Sequence, residues 1–317
     1  MNVATALNLP GHRERKIAQL LHEWHLSNQS PPPSPPNPIR VVCISDTHNT
    51  RPELPPGDIL IHAGDLTETG SFDEIQRELD WLSSQPHAHK LLIAGNHDVL
   101  LDPAFLSSHP ERRYGSTNSH HDLNFGSVIY LQDTSTTLTF SSPAPSGPSS
   151  TNPRTLTILG SPRTPRYGLS AFQYPPSSPP WHDLFSSLPR SPDIVITHGP
   201  PKHHLDKRDF YRAGCPYLAE EIARAKPKLV VFGHIHAGYG REDVVLDGVQ
   251  RLWEEVVTGW RGWDGVLVMA GLVLWGKARG LVPGLRGRRE ERTVFVNAAV
   301  VGGNGNQLSN EAIVVEL

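Results

Sequence analysis

Five short runs in this chain bring together residue types that hold metal ions or move protons. They are Ser45-Asp46-Thr47-His48, Gly64-Asp65, Gly95-Asn96-His97-Asp98, His198-Gly199-Pro200-Pro201 and Gly233-His234-Ile235-His236. Between them they supply Asp, His, Asp, Asn, His, His, His and His. Imidazole nitrogens beside carboxylate and amide oxygens suit Fe, Zn, Mn or Ni, and no thiolate is in the set. An Asp-x-His pair at a strand end directs both side chains to one side, because residues i and i+2 project together. His234 and His236 share that spacing. Eight groups exceed the ligand number of one ion, whereas two ions bridged by one carboxylate would use them.

Each run follows a segment that reads as a β-strand. Ile39–Ile44, Asp58–Ala63, Lys90–Ala94, Asp193–Thr197 and Lys228–Phe232 are short β-branched or leucine-rich stretches. In open α/β sheets, sites form at the carboxyl ends of strands. Further strands are expected at Ser127–Leu131, Thr155–Leu159, Thr293–Asn297 and Ala312–Glu316. Ser71 and Glu74 form a capping box that opens a helix with one apolar stripe, Phe72, Ile75, Leu79 and Leu82. A second helix is expected near Cys215–Ala225. Strands alternating with helices imply an α/β layered fold.

The remainder of the chain is unlike this core. Ile17, Leu20, Leu21 and Trp24 share one face of a short amphipathic helix over residues 11–26. Six prolines between Pro31 and Pro38 predict a stiff extended linker. The expected organisation is therefore 1–38 as helix and linker, and 39–317 as the main domain. That domain carries a Pro/Ser-rich insertion near 141–153 and a Trp/Gly-rich insertion near 251–292. The latter holds four of the seven tryptophans, eight glycines that argue against one continuous helix, and a basic tail through Arg286, Arg288, Arg289 and Arg292.

Composition narrows the class. The 317 residues carry a net charge of −3, against the basic excess of a dedicated nucleic-acid binder. Two cysteines, Cys43 and Cys215, are too few for a disulfide scaffold and fit reduced thiols of a cytoplasmic protein. No charged-then-apolar leader is visible. The longest apolar stretch, Gly265 to Trp275, is 11 residues, short of the ~20 that a spanning helix needs.

The ordered blocks D-x-H, GD, GNH(D/E), a lone His after a strand, and GHxH resemble the signature of the calcineurin-like metallophosphoesterases. Thr197–Pro201, Lys226–Leu229, Gly160–Pro165 and Gly233–Gly240 are similar to the metallophosphoesterase-domain-containing branch, related to class III cyclic-nucleotide phosphodiesterases. Some animal members of that branch have glycine where this chain has His234. The resemblance implies a four-layer fold, a central β-sandwich of two mixed sheets flanked by helices. It implies one metal site of Asp46, His48, Asp65 and His236, and a second of Asp65, Asn96, His198 and His234, with Asp65 bridging. The two ions would be divalent or trivalent. A metal-bridging hydroxide would attack phosphorus, and His97 would protonate the leaving group or bind phosphoryl oxygens beside Asn96. The expected substrate is a small phosphoester, with a phosphodiester favoured. Alternatives are a phosphomonoesterase of the same fold, or a metal-retaining scaffold without turnover.

Other residues have plainer readings. Asp98 reads equally as a helix cap or as an orienting partner for His97. His62 reads as core packing, and His120 and His121 as loop filler. His203, His204 and Asp206 read more simply as a solvated loop, with His203 kept as a candidate substrate contact. The 251–292 segment reads first as an excursion packed on the domain, then as a peripheral membrane anchor, then as a protein-binding surface.

Overall fold

Five strands form one mixed sheet in the order Ile313–Glu316, Arg40–Ile44, Ile59–Ala63, His89–Ile93 and Val128–Tyr130. The first runs antiparallel to its neighbour and the other four are parallel. A second sheet has the order Gly240–Val244, Thr293–Asn297, Leu229–Phe232, Ile194–Thr197, Arg154–Ser161 and Thr134–Phe140. Its four central strands are parallel, and Thr134–Phe140 closes one edge antiparallel. The computed structural model describes residues 12–27, 37–140, 153–208, 211–281, 292–303 and 305–317. The expected linker over 31–36, the Pro/Ser-rich insertion over 141–152 and the basic residues Arg286, Arg288 and Arg289 lie outside them.

Side chains alternate across a strand. Val41, Cys43, Ile59, Ile61 and Ile93 meet Ile158, Ile194, Ile196, Leu229 and Val231 of the other sheet in one buried cluster. The alternate set Val42, Ile44, Leu60 and Leu92 is also buried, under Ile75, Leu79 and Leu82 of the Phe72–Ser83 helix. Both faces being covered is why these strands read as continuous apolar runs. Ser71 starts the covering helix by accepting a hydrogen bond from Glu74 N. On the second sheet Val195, Val230 and Phe232 are likewise fully buried. Helices Trp181–Ser186 and Pro216–Ala225 pack on each other. The order of layers is helix, sheet, sheet, helix.

This sandwich is one of two compact units, Ser34–Asp243 with Thr293–Leu317. The other is Met1–Pro33 with Val244–Arg292. Its described residues form three helices, His12–Leu26, Gly248–Thr258 and Trp263–Leu281, around Ala18, Leu252, Val256, Val266, Met269 and Val273. Asp247 Oδ1 caps the second helix by accepting from Val249 N and Gln250 N. Its Oδ2 lies 2.7 Å from His25 Nε2. His22 stacks on Trp253 and approaches Gln250 Oε1 to 2.6 Å.

Two expectations change in this unit. Of the expected face only Leu21 packs inward, beside Ala18 and His22, while Ile17, Leu20 and Trp24 point outward. The glycine-rich segment contains a 19-residue helix despite Gly265, Gly271, Gly276 and Gly280. Each glycine costs about 1 kcal/mol relative to alanine, and burial of Val266, Met269 and Val273 offsets it.

Candidate metal centre

The five ligand-bearing runs leave their strands through tight turns. Asp46, His48, Asp65 and His234 all adopt left-handed backbone, with φ of 52°, 43°, 52° and 66°. Such conformations persist in non-glycine residues where surrounding contacts over-determine them. The shared side of Asp46 and His48 is therefore set by a turn and not by strand pleating. The neighbouring loops press closely on the carboxylates. A Cβ at Gly95 would overlap Asp65, and one at Gly233 would overlap Asp46 and Ser45.

Two clusters result from these runs, and His48 and His97 form a third group with Glu68. Asp46, His48 and His236 bring ligand atoms within 4.8 Å of one another, as do Asp65, His198 and His234. The i, i+2 pair His234 and His236 thus separates between clusters. Asp46 Oδ1 lies 3.2 Å from His236 Nε2, and both Asp46 oxygens accept from His234 N at 3.0 Å. Asp65 Oδ2 lies 3.3 Å from His198 Nε2 and 3.8 Å from His48 Nε2, so it faces both clusters. Its Oδ1 accepts from His97 N at 2.8 Å. Asn96 Oδ1 lies 2.9 Å from His198 Nε2. His198 Nδ1 sits 3.0 Å from the Ala63 carbonyl, which assigns it the proton and leaves Nε2 aimed at the cluster.

Electrostatics follow from burial and crowding. Burial pushes the Asp65 carboxyl up, but His198, His97 and His48 outweigh it and hold it well below the usual range. Asp46 is also lowered: burial opposes this, and the His236 hydrogen bond and His198 prevail. Burial works against charge on His198, yet Asp65 raises it to about 9. Burial and then His198 push His234 down to about 4. Two buried carboxylates therefore need positive charge, supplied here by imidazole protons. Divalent cations would displace those protons.

The residues fit such cations. Both ring nitrogens of His48 are buried without a hydrogen bond. Nδ1 lies 3.0 Å from Glu68 Oε2 but is not aligned for one. With Nδ1 carrying its proton towards Glu68, the Nε2 lone pair faces Asp65 with no hydrogen to accept, as a metal ligand would.

Around this set the structure revises several readings. Asp98 neither caps a helix with its side chain nor bonds the His97 ring. Its buried carboxylate accepts from Gly95 N, Leu66 N, Thr67 N and Thr67 Oγ1 at 2.7–3.1 Å, tying the Asp65 loop to the Asn96 loop. Asp98→Ala is expected to destabilise the sandwich by about 3 kcal/mol, since it strands several buried donors. Thermal unfolding of the metal-free protein reads this directly. Unchanged unfolding would show that the two loops do not need the tie.

His62 is more than packing. It accepts from Gly64 N at Nδ1, and its Nε2 lies 2.9 Å from Thr47 Oγ1, which donates to the Leu66 carbonyl. Burial pushes it down to about 3, so it stays neutral. Residues 203–206 are not a solvated loop. Asp206 is fully buried, accepting from His203 N and Gly214 N and pairing with Arg212. His204 stacks on Phe295 at 3.8 Å. His203 Nδ1 is buried without a hydrogen-bond partner. Asn297 secures the GHxH turn by donating to the Ile235 and Leu205 carbonyls.

Glu68 and Tyr167 escaped sequence reading. The Glu68 carbonyl lies 2.7 Å from His97 Nδ1, while its carboxylate approaches His48 and accepts from Asn306 Nδ2. The Tyr167 ring lies 5.0 Å from the His234 ring. Neither residue type nor spacing marks them, because their partners are distant in sequence.

The calcineurin-like phosphoesterase profile matches residues 39–238, which contains every ligand-bearing run. The chain belongs to the calcineurin-like phosphoesterase family. It is 40% identical over 283 residues to "Probable rhamnogalacturonate lyase C" of Emericella nidulans, covering 89% of this chain and 24% of that one. It is 36% identical over 231 residues to human "Metallophosphoesterase domain-containing protein 1", covering 68% of this chain and 65% of the relative. "UPF0046 protein K07C11.7" of Caenorhabditis elegans is 29% identical over 234 residues, 72% and 74% of the respective chains. The chain thus spans about a quarter of the first relative's length and just under two thirds of the second's. Calcineurin-like phosphoesterase membership implies divalent metal ions, in keeping with the donor set around Asp46 and Asp65.

Proposed function

We propose that this chain is a metal-dependent phosphoester hydrolase acting on phosphodiesters. Two divalent ions would be held by Asp46, His48 and His236 on one side and by Asn96, His198 and His234 on the other, with Asp65 between them. The observation that carries this reading is the position of Asp65 Oδ2, which faces His48 and His198 at once. When bound, such ions acidify a water and take up charge on phosphoryl oxygens.

The chain's own residues do the rest. Asp46 and Asp65 stay ionised and hold the positive charge in place. His198 is oriented through Ala63, and His97 through Glu68. His97 then has Nε2 free to donate a proton to a departing oxygen. Burial works against its protonation, but Asp65 and the Glu68 carbonyl raise it on balance. Cations beside Asp65 would offset part of that rise.

The diester preference is supported by the resemblance of Thr197–Pro201 and Gly233–Gly240 to the branch related to cyclic-nucleotide phosphodiesterases.

The test is hydrolysis of bis-p-nitrophenyl phosphate and p-nitrophenyl phosphate with added Mn²⁺, with metal analysis on the same preparation. The expected result is about two metal equivalents per chain and a higher kcat/KM for the diester. A higher value for the monoester reverses the substrate preference. Two bound metals with neither ester hydrolysed would favour the scaffold.

A further inference from the structure

Among the described residues, the unit of His12–Leu26, Gly248–Thr258 and Trp263–Leu281 presents an apolar surface that their mutual packing leaves uncovered. The Trp263–Leu281 helix buries Val266, Met269 and Val273. Its opposite side carries Leu267, Val268, Leu274 and Trp275, exposed by 69%, 50%, 56% and 64%. From Leu267 to Trp275 that outward arc contains no charged residue. A surface helix ordinarily turns a polar face to water. The His12–Leu26 helix adds Ile17, Leu20 and Trp24, also outward. Lys277 joins the two helices, its Nζ 4.5 Å above the Trp24 ring.

The geometry points to an anionic phospholipid surface as the occupant. Three features favour a bilayer over a protein partner. Trp260 and Trp263 stand at one end of the outward helix and Trp275 towards the other, with aliphatic side chains between. Indole rings favour the headgroup boundary, and leucine and valine the acyl layer beneath it. The surface is the convex side of a helix, which lies along an interface. Basic residues also flank it, Lys277 and Arg279 at the end of the outward helix and Arg13 and Lys16 on its neighbour, and they outnumber the exposed acids Asp264 and Glu23. Their charge complements anionic headgroups.

The mode is lying on the membrane, not crossing it. Among the described residues no helix is long and apolar enough to span. One side of Trp263–Leu281 is already occupied by the other two helices.

The experiment is flotation of the full chain with phosphatidylcholine vesicles, with and without 30% phosphatidylserine (about a third anionic lipid, enough to read the charge effect). Binding to the anionic vesicles is expected, weakening as salt rises. Leu267→Glu with Leu274→Glu is expected to lower the partition coefficient at least about tenfold. Both positions are exposed, so folding and phosphoester hydrolysis in solution should be unchanged. Indole fluorescence should shift to the blue on binding. No binding to anionic vesicles would overturn the proposal, as would equal binding by the double variant. A dimer in light scattering that the double variant dissociates, without vesicle binding, would assign the face to a second copy instead.

Discussion

Asp65→Asn is expected to lower turnover of bis-p-nitrophenyl phosphate by about 10³-fold or more, with the protein still folded. The substitution isolates charge from shape. Asparagine tolerates the left-handed backbone that Asp65 adopts at φ 52°. An amide oxygen at the Oδ1 position still accepts from His97 N, so the loop keeps its anchor. What changes is the atom that faces His198 and His48. A neutral amide there can neither carry negative charge between two cations nor serve both through one atom. Bound metal should fall from about two equivalents to one or fewer. Circular dichroism and metal content on the same sample distinguish this from misfolding. A folded variant retaining two metals and wild-type turnover would remove Asp65 from the bridging position.

How much of this was open to sequence reading follows from the range of each interaction. The strands holding Val41–Ile44 and Ile59–Ala63 are legible because burial on both faces leaves apolar runs that only His62 interrupts. The ligand types are legible because metal chemistry restricts them and each set stands at a strand end. Left-handed turns at Asp46 and Asp65 are not legible, since the conformation comes from loops closing over Gly95 and Gly233. Asp98 illustrates the same limit. Its spacing from Gly95 suggests a local role, yet three of its four donors come from Leu66 and Thr67.

The outward apolar face of His12–Leu26 is a different failure. Periodicity reports that Ile17, Leu20 and Trp24 share a side, and a buried side is the default inference. Of that side only Leu21 turns inward, and the helix packs through it, Ala18 and His22, whose partner Gln250 is 228 residues away. No local pattern encodes such a pairing. Thr134–Phe140 is not legible for a related reason. It is threonine-rich with only Leu138 buried, and its strand character comes from antiparallel pairing with Arg154–Ser161 at the sheet edge.

His97→Ala is expected to separate good from poor leaving groups. A p-nitrophenolate leaves without needing a proton, so hydrolysis of bis-p-nitrophenyl phosphate should fall only modestly. An alkyl phosphodiester, whose alkoxide must be protonated, should lose about 10²–10⁴-fold in kcat. The structure makes alanine a clean deletion. The bond from residue 97 to Asp65 Oδ1 is made by the backbone N and survives the change. The ring is held separately, by Nδ1 against the Glu68 carbonyl and by edge contact with His48. The pH profile supplies the second readout. An acid must be protonated to act, so wild-type turnover of the alkyl diester should decline as pH rises through the His97 pKa. In the variant that decline should disappear while the acidic limb remains. Equal losses on both leaving groups would instead assign His97 to binding phosphoryl oxygens, because that contact matters whichever oxygen departs.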